Sequence, residues 1–208
     1  MNIILSIIDC IKILFQSIRF GIINIPIENS DSLIVRILGF CNPFFIFNQK
    51  VPHGLRIKNF LENLGPMFIK FGQLLSTRTD VVSLEITSHL RGLTDQCKPF
   101  STKAAIDAIE SVLNIKINDI FDDFEETPLA AASLAQVHRA KLRSTSEKVV
   151  IKVLRPRVHR QVRRNIRVMR VAGLLINLFY KESYRLRLKD VIDDYERTIL
   201  KELDLKVE

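Results

Sequence analysis

The 208-residue chain has no tryptophan and three cysteines, Cys10, Cys41 and Cys97. They are odd in number, far apart and lack a C-x-x-C spacing, which argues against a disulfide framework and for a reducing compartment. The four histidines, His53, His89, His138 and His159, are scattered. None forms H-E-x-x-H or stands at zinc spacing from a cysteine, so no protein-ligated transition metal is expected. Glycine and proline number seven each, too few for collagen-like or low-complexity chains. No internal repeat is visible at periods of about 20 to 50 residues. No small-residue cleavage site follows the apolar N-terminal run, and Asp9, Lys12 and Arg19 sit inside it. A secretory signal and a membrane-spanning helix are both disfavoured there.

What is present describes a globular chain. Apolar residues make up 47% and charged residues 26%, enough to bury a core and to exclude wholesale disorder. In residues 1–25 the polar positions Asn2, Ser6, Asp9, Lys12, Gln16 and Arg19 step by three or four. They make one polar stripe on an otherwise greasy helix, suited to a membrane interface, a partner or its own core. Residues 24–53, with Pro26, Gly39, Pro43 and Pro52, read as a broken connector.

The net charge of +8 is local. Arg155–Lys189 holds eleven Lys/Arg against Glu182 alone. Arg160, Arg163, Arg164, Arg167 and Arg170 fall at helical spacing opposite Val158, Val162, Ile166 and Met169. That cationic face is open to three readings: a solvated surface, an anionic membrane, or nucleic acid. Nucleic acid is the weakest, since no aromatic residues interleave with the arginines.

Two segments carry the chemistry. In the first, Gly65 and Pro66 break a helix over 55–64 and start another over 66–78. Phe68, Phe71, Leu74 and Leu75 form its expected core face, and Lys70 and Gln73 share another. In the second, residues 134–142 and 149–154 read as a hairpin. Lys152 lies in the apolar run V-V-I-K-V, where an ammonium costs desolvation unless it finds an anion. That placement matches the nucleotide-clamping strand of protein kinases, with an edge-strand lysine as the plainer reading. No glycine occurs between Gly92 and Gly173, so the turn before the strand, Ala130-Ala131-Ala132-Ser133, cannot be a glycine-rich phosphate loop.

Together these residues resemble the UbiB-type atypical kinase-like family (also called ABC or ADCK) of ubiquinone biosynthesis. Lys70, Gly72 and Gln73 are similar to its K-x-G-Q signature, followed by L-S-T-R-x-D. Ala130, Ala131, Ala132 and Ser133 resemble its alanine-rich loop, and Lys152 its nucleotide-binding lysine. Glu202 and Asp204 resemble its E-x-D motif, with Glu208 where a helix glutamate pairs with the lysine. The resemblance implies ATP and Mg²⁺ as cofactors, and a regulatory Lys70 reaching toward Glu202 or Asp204. It also implies quinone-synthesis enzymes as partners and a peripheral place on the cytoplasmic face of a bacterial inner membrane, or an equivalent compartment. Val81-Val82-Ser83 and Leu93-Thr94-Asp95 depart from the family pattern away from these residues.

The 208 residues hold no kinase catalytic-loop Asp, no partner Asn and no D-F-G Asp. The stripe Val191, Ile192, Tyr195, Ile199, Leu203 and Val207 reads as a helix over 190–208 running to the last residue without a cap. The expectation is therefore an N-terminal piece, either a split or degraded gene product or a truncated part of a longer chain, not catalytic alone and open to completion by a separately encoded C-lobe. The alternative is a non-enzymatic, membrane-associated scaffold. The expected class is α+β with helix predominating, in three parts: an amphipathic helix (1–25), a helical extension (26–114), and a kinase-like N-lobe with a small antiparallel sheet (115–208). Ser101 is an expected N-cap for a helix over 103–113.

Overall fold

A computed structural model describes residues 3–22, 25, 50–94, 97–179 and 187–205. They are mixed helix and antiparallel sheet, with helix predominating, as the sequence predicts. The chain divides into two compact units, residues 1–94 with 163–201, and residues 95–162 with 202–208. No helix among the described residues is long and apolar enough to cross a membrane.

The first unit is helical. It holds α1 (Ile3–Arg19), α2 (His53–Leu64), α3 (Pro66–Ser76), α4 (Leu84–Leu90), most of α7 (Val158–Phe179) and nearly all of α8 (Leu188–Glu202). Gly65 ends α2 at φ 106°, a value that suits glycine alone, and Pro66 opens α3 at its first position. The buried line of α3 is Met67, Phe68, Gly72 and Ser76, rather than the larger set expected from the apolar residues. Of those, only Phe68 is fully buried; Phe71, Leu74 and Leu75 are half-buried. The cause is the notch at Gly72. A Cβ there would stand 2.4 Å from Leu93 Cδ1 and 2.7 Å from Leu61 Cδ1, so the helix turns its smallest residue to its closest neighbours.

Buried Arg56 donates from Nε to the Val51 carbonyl at 2.9 Å, which offsets the cost of placing its charge inside. Helix α8 buries Val191, Ile192, Tyr195 and Ile199. The Tyr195 hydroxyl donates to the Met67 carbonyl at 2.6 Å, and its ring meets Phe71 edge-on at 5.2 Å. Against α7, Arg170 pairs with Asp193 at 2.8 Å and Glu196 at 2.6 Å. The helix expected over 190–208 ends at Glu202. Leu203 takes the next apolar step and is buried, but the hydrogen-bonded spiral has already stopped. Val207 lies outside the described residues.

The second unit surrounds the sheet. Ser101 caps α5 (Thr102–Leu113), accepting from the Ala104 N–H at 3.3 Å, and Asn114 closes it in the left-handed region at φ 54°. After α6 (Ile117–Ile120) come β1 (Phe121–Phe124), β2 (Ala130–Ala131), β3 (Ala135–Leu142) and β4 (Lys148–Leu154). Strand β3 pairs antiparallel with all three others: β1 and β2 along one side, β4 along the other. The hairpin β3–β4 was legible in the sequence; the short β1 and β2 were not. Ala105 and Ile109 of α5 pack with Ile117, Phe121, Ala140 and Val153 into the core under the sheet.

Substituting Gly72→Val should lower stability by about 2 kcal/mol, since the added methyls overfill a packed contact. Thermal unfolding should then show a Tm roughly 5 °C lower. An unchanged Tm would mean that Leu61 and Leu93 yield freely.

Candidate functional site

The pleat of β3 and β4 decides which side chains share a face. Register pairs Gln136 with Val153, His138 with Ile151 and Ala140 with Val149, and these point into the core. The alternate residues then face outward. Lys152 pairs with Val137, and Val137 on its other side pairs with Ala130. Ala130, Val137 and Lys152 thus form one row across three strands on the open face. Neighbouring strands are about 4.8 Å apart, so the ends of the row are roughly 10 Å apart. Arg139 and Val150 form the adjacent row, and Val150 is 66% exposed.

Lys152 is exposed, which corrects the expectation that its strand buries it at a desolvation cost. The run V-V-I-K-V is apolar on both sides, so composition hides the alternation. The pleat turns Ile151 and Val153 inward and Val150 and Lys152 outward. Strand β4 pairs with β3 alone among the described residues, so Lys152 is also an edge-strand lysine.

The alanine-rich turn, Ala130 to Ser133, begins in β2 and leads toward β3. The Ala132 N–H donates to the Ala135 carbonyl at 2.8 Å, and Ser133 is buried. The turn rests against the segment Cys97–Phe100. There the Cys97 N–H donates to the Ala131 carbonyl at 3.1 Å, and the Phe100 N–H donates to Gln136 Oε1 at 3.1 Å. Gln136 Nε2 meets His138 Nε2 at 2.7 Å, and His138 Nδ1 meets the Glu125 carbonyl at 2.8 Å, which accounts for two fully buried polar side chains.

The K-x-G-Q residues all lie on α3, in the first unit. Lys70 is half-buried, Gly72 forms the packing notch, and Gln73 Nε2 donates to the Leu93 carbonyl at 3.2 Å. Two of the three motif residues therefore have a structural task on their own helix. Glu202 is the last residue of α8 and half-buried; Asp204 lies just beyond the helix and is exposed. Glu208 is outside the described residues.

Val137 and Val150 lie beside Lys152 on this open face, and Ala130 to Ala132 bring no bulky side chain to it. Among the described residues no group of three or more His, Cys, Asp or Glu could hold a metal ion. These residues do not by themselves fit Mg²⁺, and no step is assigned to it. Sequence reasoning missed Val137 and Val150, whose signal was the alternation within the hairpin. It also did not give the distant partners of three residues it had named in motif, stripe or charge run: Asp194 for Arg78, Met67 for Tyr195 and Ala132 for Arg155.

Residues 92–208 match the family model of the ABC1 atypical kinase-like domain. A protein of Shewanella baltica (strain OS185) named probable protein kinase UbiB is 47% identical over 167 residues, covering 79% of this chain and 30% of that protein. One of the same name from Aeromonas hydrophila subsp. hydrophila is 45% identical over 157 residues, covering 76% of this chain and 29% of its own. The chain thus spans less than a third of the length of these relatives.

Arg78, in L-S-T-R-x-D, grips both oxygens of Asp80 at 2.9 Å and reaches Asp194 of α8 at 3.0 Å. Asp194 also pairs with Arg197. Hydrogen bonding to Arg78 holds both carboxyls below their ordinary value of 3.8. Folded values below unfolded ones give stability that is complete above the ordinary carboxylate range and lost as pH falls through the depressed values. Replacing Arg78→Leu should lower the denaturation midpoint at neutral pH, and the gap from the parent chain should narrow as pH falls below the ordinary carboxylate range. A gap that stays constant with pH would mean the ion pairs contribute nothing and only the arginine's packing matters.

Proposed function

The chain belongs to the ABC1 atypical kinase-like family, and from that premise we propose that it forms the nucleotide-facing N-lobe and regulatory extension of a UbiB-like atypical kinase or ATPase supporting ubiquinone biosynthesis. The observation that carries this reading is the row Ala130, Val137 and Lys152 on the open face of the sheet. A nucleoside triphosphate lies with its base against Val137 and Val150 and its phosphates toward Lys152, beneath the alanine-rich turn. In this reading Lys70 is the regulatory residue, and Glu202 and Asp204 are the acidic motif. Phosphoryl transfer depends on metal and positioning. Quinone-synthesis enzymes are the partners in this reading.

Titration of the chain with mant-ATP tests this. Lys152→Ala should weaken binding about tenfold, the loss of one charge-assisted contact, and Val150→Asp should weaken it as well. Binding equal to the parent chain in both variants would place the nucleotide elsewhere or nowhere.

A second reading is favoured by α1. Ile8, Ile11, Leu14 and Phe15 are all more than half exposed and fall at helical spacing, with Lys12 and Arg19 nearby. This supports docking on an anionic membrane surface, at the cytoplasmic face of an inner membrane, with or without catalysis. Cosedimentation with phosphatidylglycerol vesicles should fall as salt rises and be lost in the double variant Leu14→Asp, Phe15→Asp. Retention of that variant on vesicles would remove α1 as the contact.

A further inference from the structure

We propose that Arg155 is a positioning residue for the alanine-rich turn, a latch that holds it in one conformation before any ligand arrives. Arg155 directly follows β4 and is three residues from Lys152. Its guanidinium donates from Nε and Nη2 to the Ala132 carbonyl at 3.0 and 2.9 Å, and from Nη2 to the Lys98 carbonyl at 2.9 Å. Its backbone N–H donates to the Leu134 carbonyl at 2.8 Å. The same guanidinium lies 5.5 Å from the centre of the Phe100 ring, where the ring's negative face attracts it. One side chain thus joins the strand carrying Lys152, the turn that faces the same site, and the segment Cys97–Phe100 that supports the turn.

The planar fork suits this task, because two carbonyls and a ring face must be met at fixed angles. An ammonium is a point donor and cannot reproduce the arrangement. The residues of the turn work in the same direction. A glycine-rich loop is mobile because glycine reaches many backbone conformations, whereas three alanines allow few. Arg155 removes the freedom that remains by occupying the Ala132 carbonyl. The turn is then set in advance, and a ligand bound beneath it meets no cost of ordering it.

This proposal takes its functional consequence from the nucleotide reading above, but its geometry does not depend on it. Two measurements on the 208-residue chain separate the two. Hydrogen exchange, followed by mass spectrometry on peptides covering 129–135 and 160–172, reads the latch without any ligand. Arg155→Ala should speed exchange in 129–135 roughly tenfold, the loss of hydrogen bonds to a charged donor, and leave 160–172 unchanged. Arg155→Lys should restore part of the protection, and it serves as the deciding variant if the alanine form does not fold. Mant-ATP affinity should fall in the same order, parent, lysine, alanine, while the Tm of the lysine form stays at the parent value. Unchanged exchange in 129–135 overturns the latch, as does an equal rise in both peptides, which would mark a general structural role. If the parent chain binds no mant-ATP, the nucleotide reading fails, and the exchange pattern alone still decides whether Arg155 holds the turn.

Discussion

Strand β3 is the constraint on which the sheet unit depends, because every other strand among the described residues is hydrogen-bonded to it. A strand has two faces and a period of two, so its register assigns a side to each residue of its neighbours at once. Gln136, His138 and Ala140 take the core, and Val137 and Arg139 take the open side. A slip of one residue between β3 and β4 would bury either Arg139 or Lys152, depending on which strand turned over. The ladder from Phe100 through Gln136 and His138 to Glu125 guards against such a slip. Its donors and acceptors match only in this register, and each would otherwise be buried without a partner.

The helical unit is organised by close approach instead. The notch at Gly72 admits Leu61 and Leu93, and Tyr195 reaches the Met67 carbonyl beside it. Helix α3, which carries Lys70, is therefore held from two directions. Arg78, just past its end, adds a third tie by bridging Asp80 to Asp194 on α8. Three signature residues of this region, Gly72, Gln73 and Arg78, help hold the helix in place.

Much of this was readable from local chemistry. The Gly65-Pro66 break, the Ser101 cap and the β3–β4 hairpin each follow from a few adjacent residues with a specific conformational habit. What escaped has a common cause. Strand β1 is Phe-Asp-Asp-Phe and β2 is Ala-Ala, both poor in strand-forming residues, and they exist because β3 offers them a partner. The buried line of α3 was only partly read, since Phe68 was expected but Gly72, which faces Leu61 and Leu93, and Ser76 were not. The end of α8 at Glu202 could not be read because the apolar stripe continues past it to Leu203. Arg78, Tyr195 and Arg155 act on partners 23 to 128 positions away, and no window on the sequence spans that distance.

Strand β4 leaves one side of its backbone without a neighbouring strand among the described residues. Such a rim is a template on which a second copy of the chain can add its own strand, and lysines are a common defence against it. Lys148 and Lys152 stand on that rim. A lysine at this position therefore has a use that needs no ligand, since its charge disfavours pairing of a second strand along the rim. Loss of that charge would be felt first as a tendency of the chain to stick to itself, before any chemistry were asked of it.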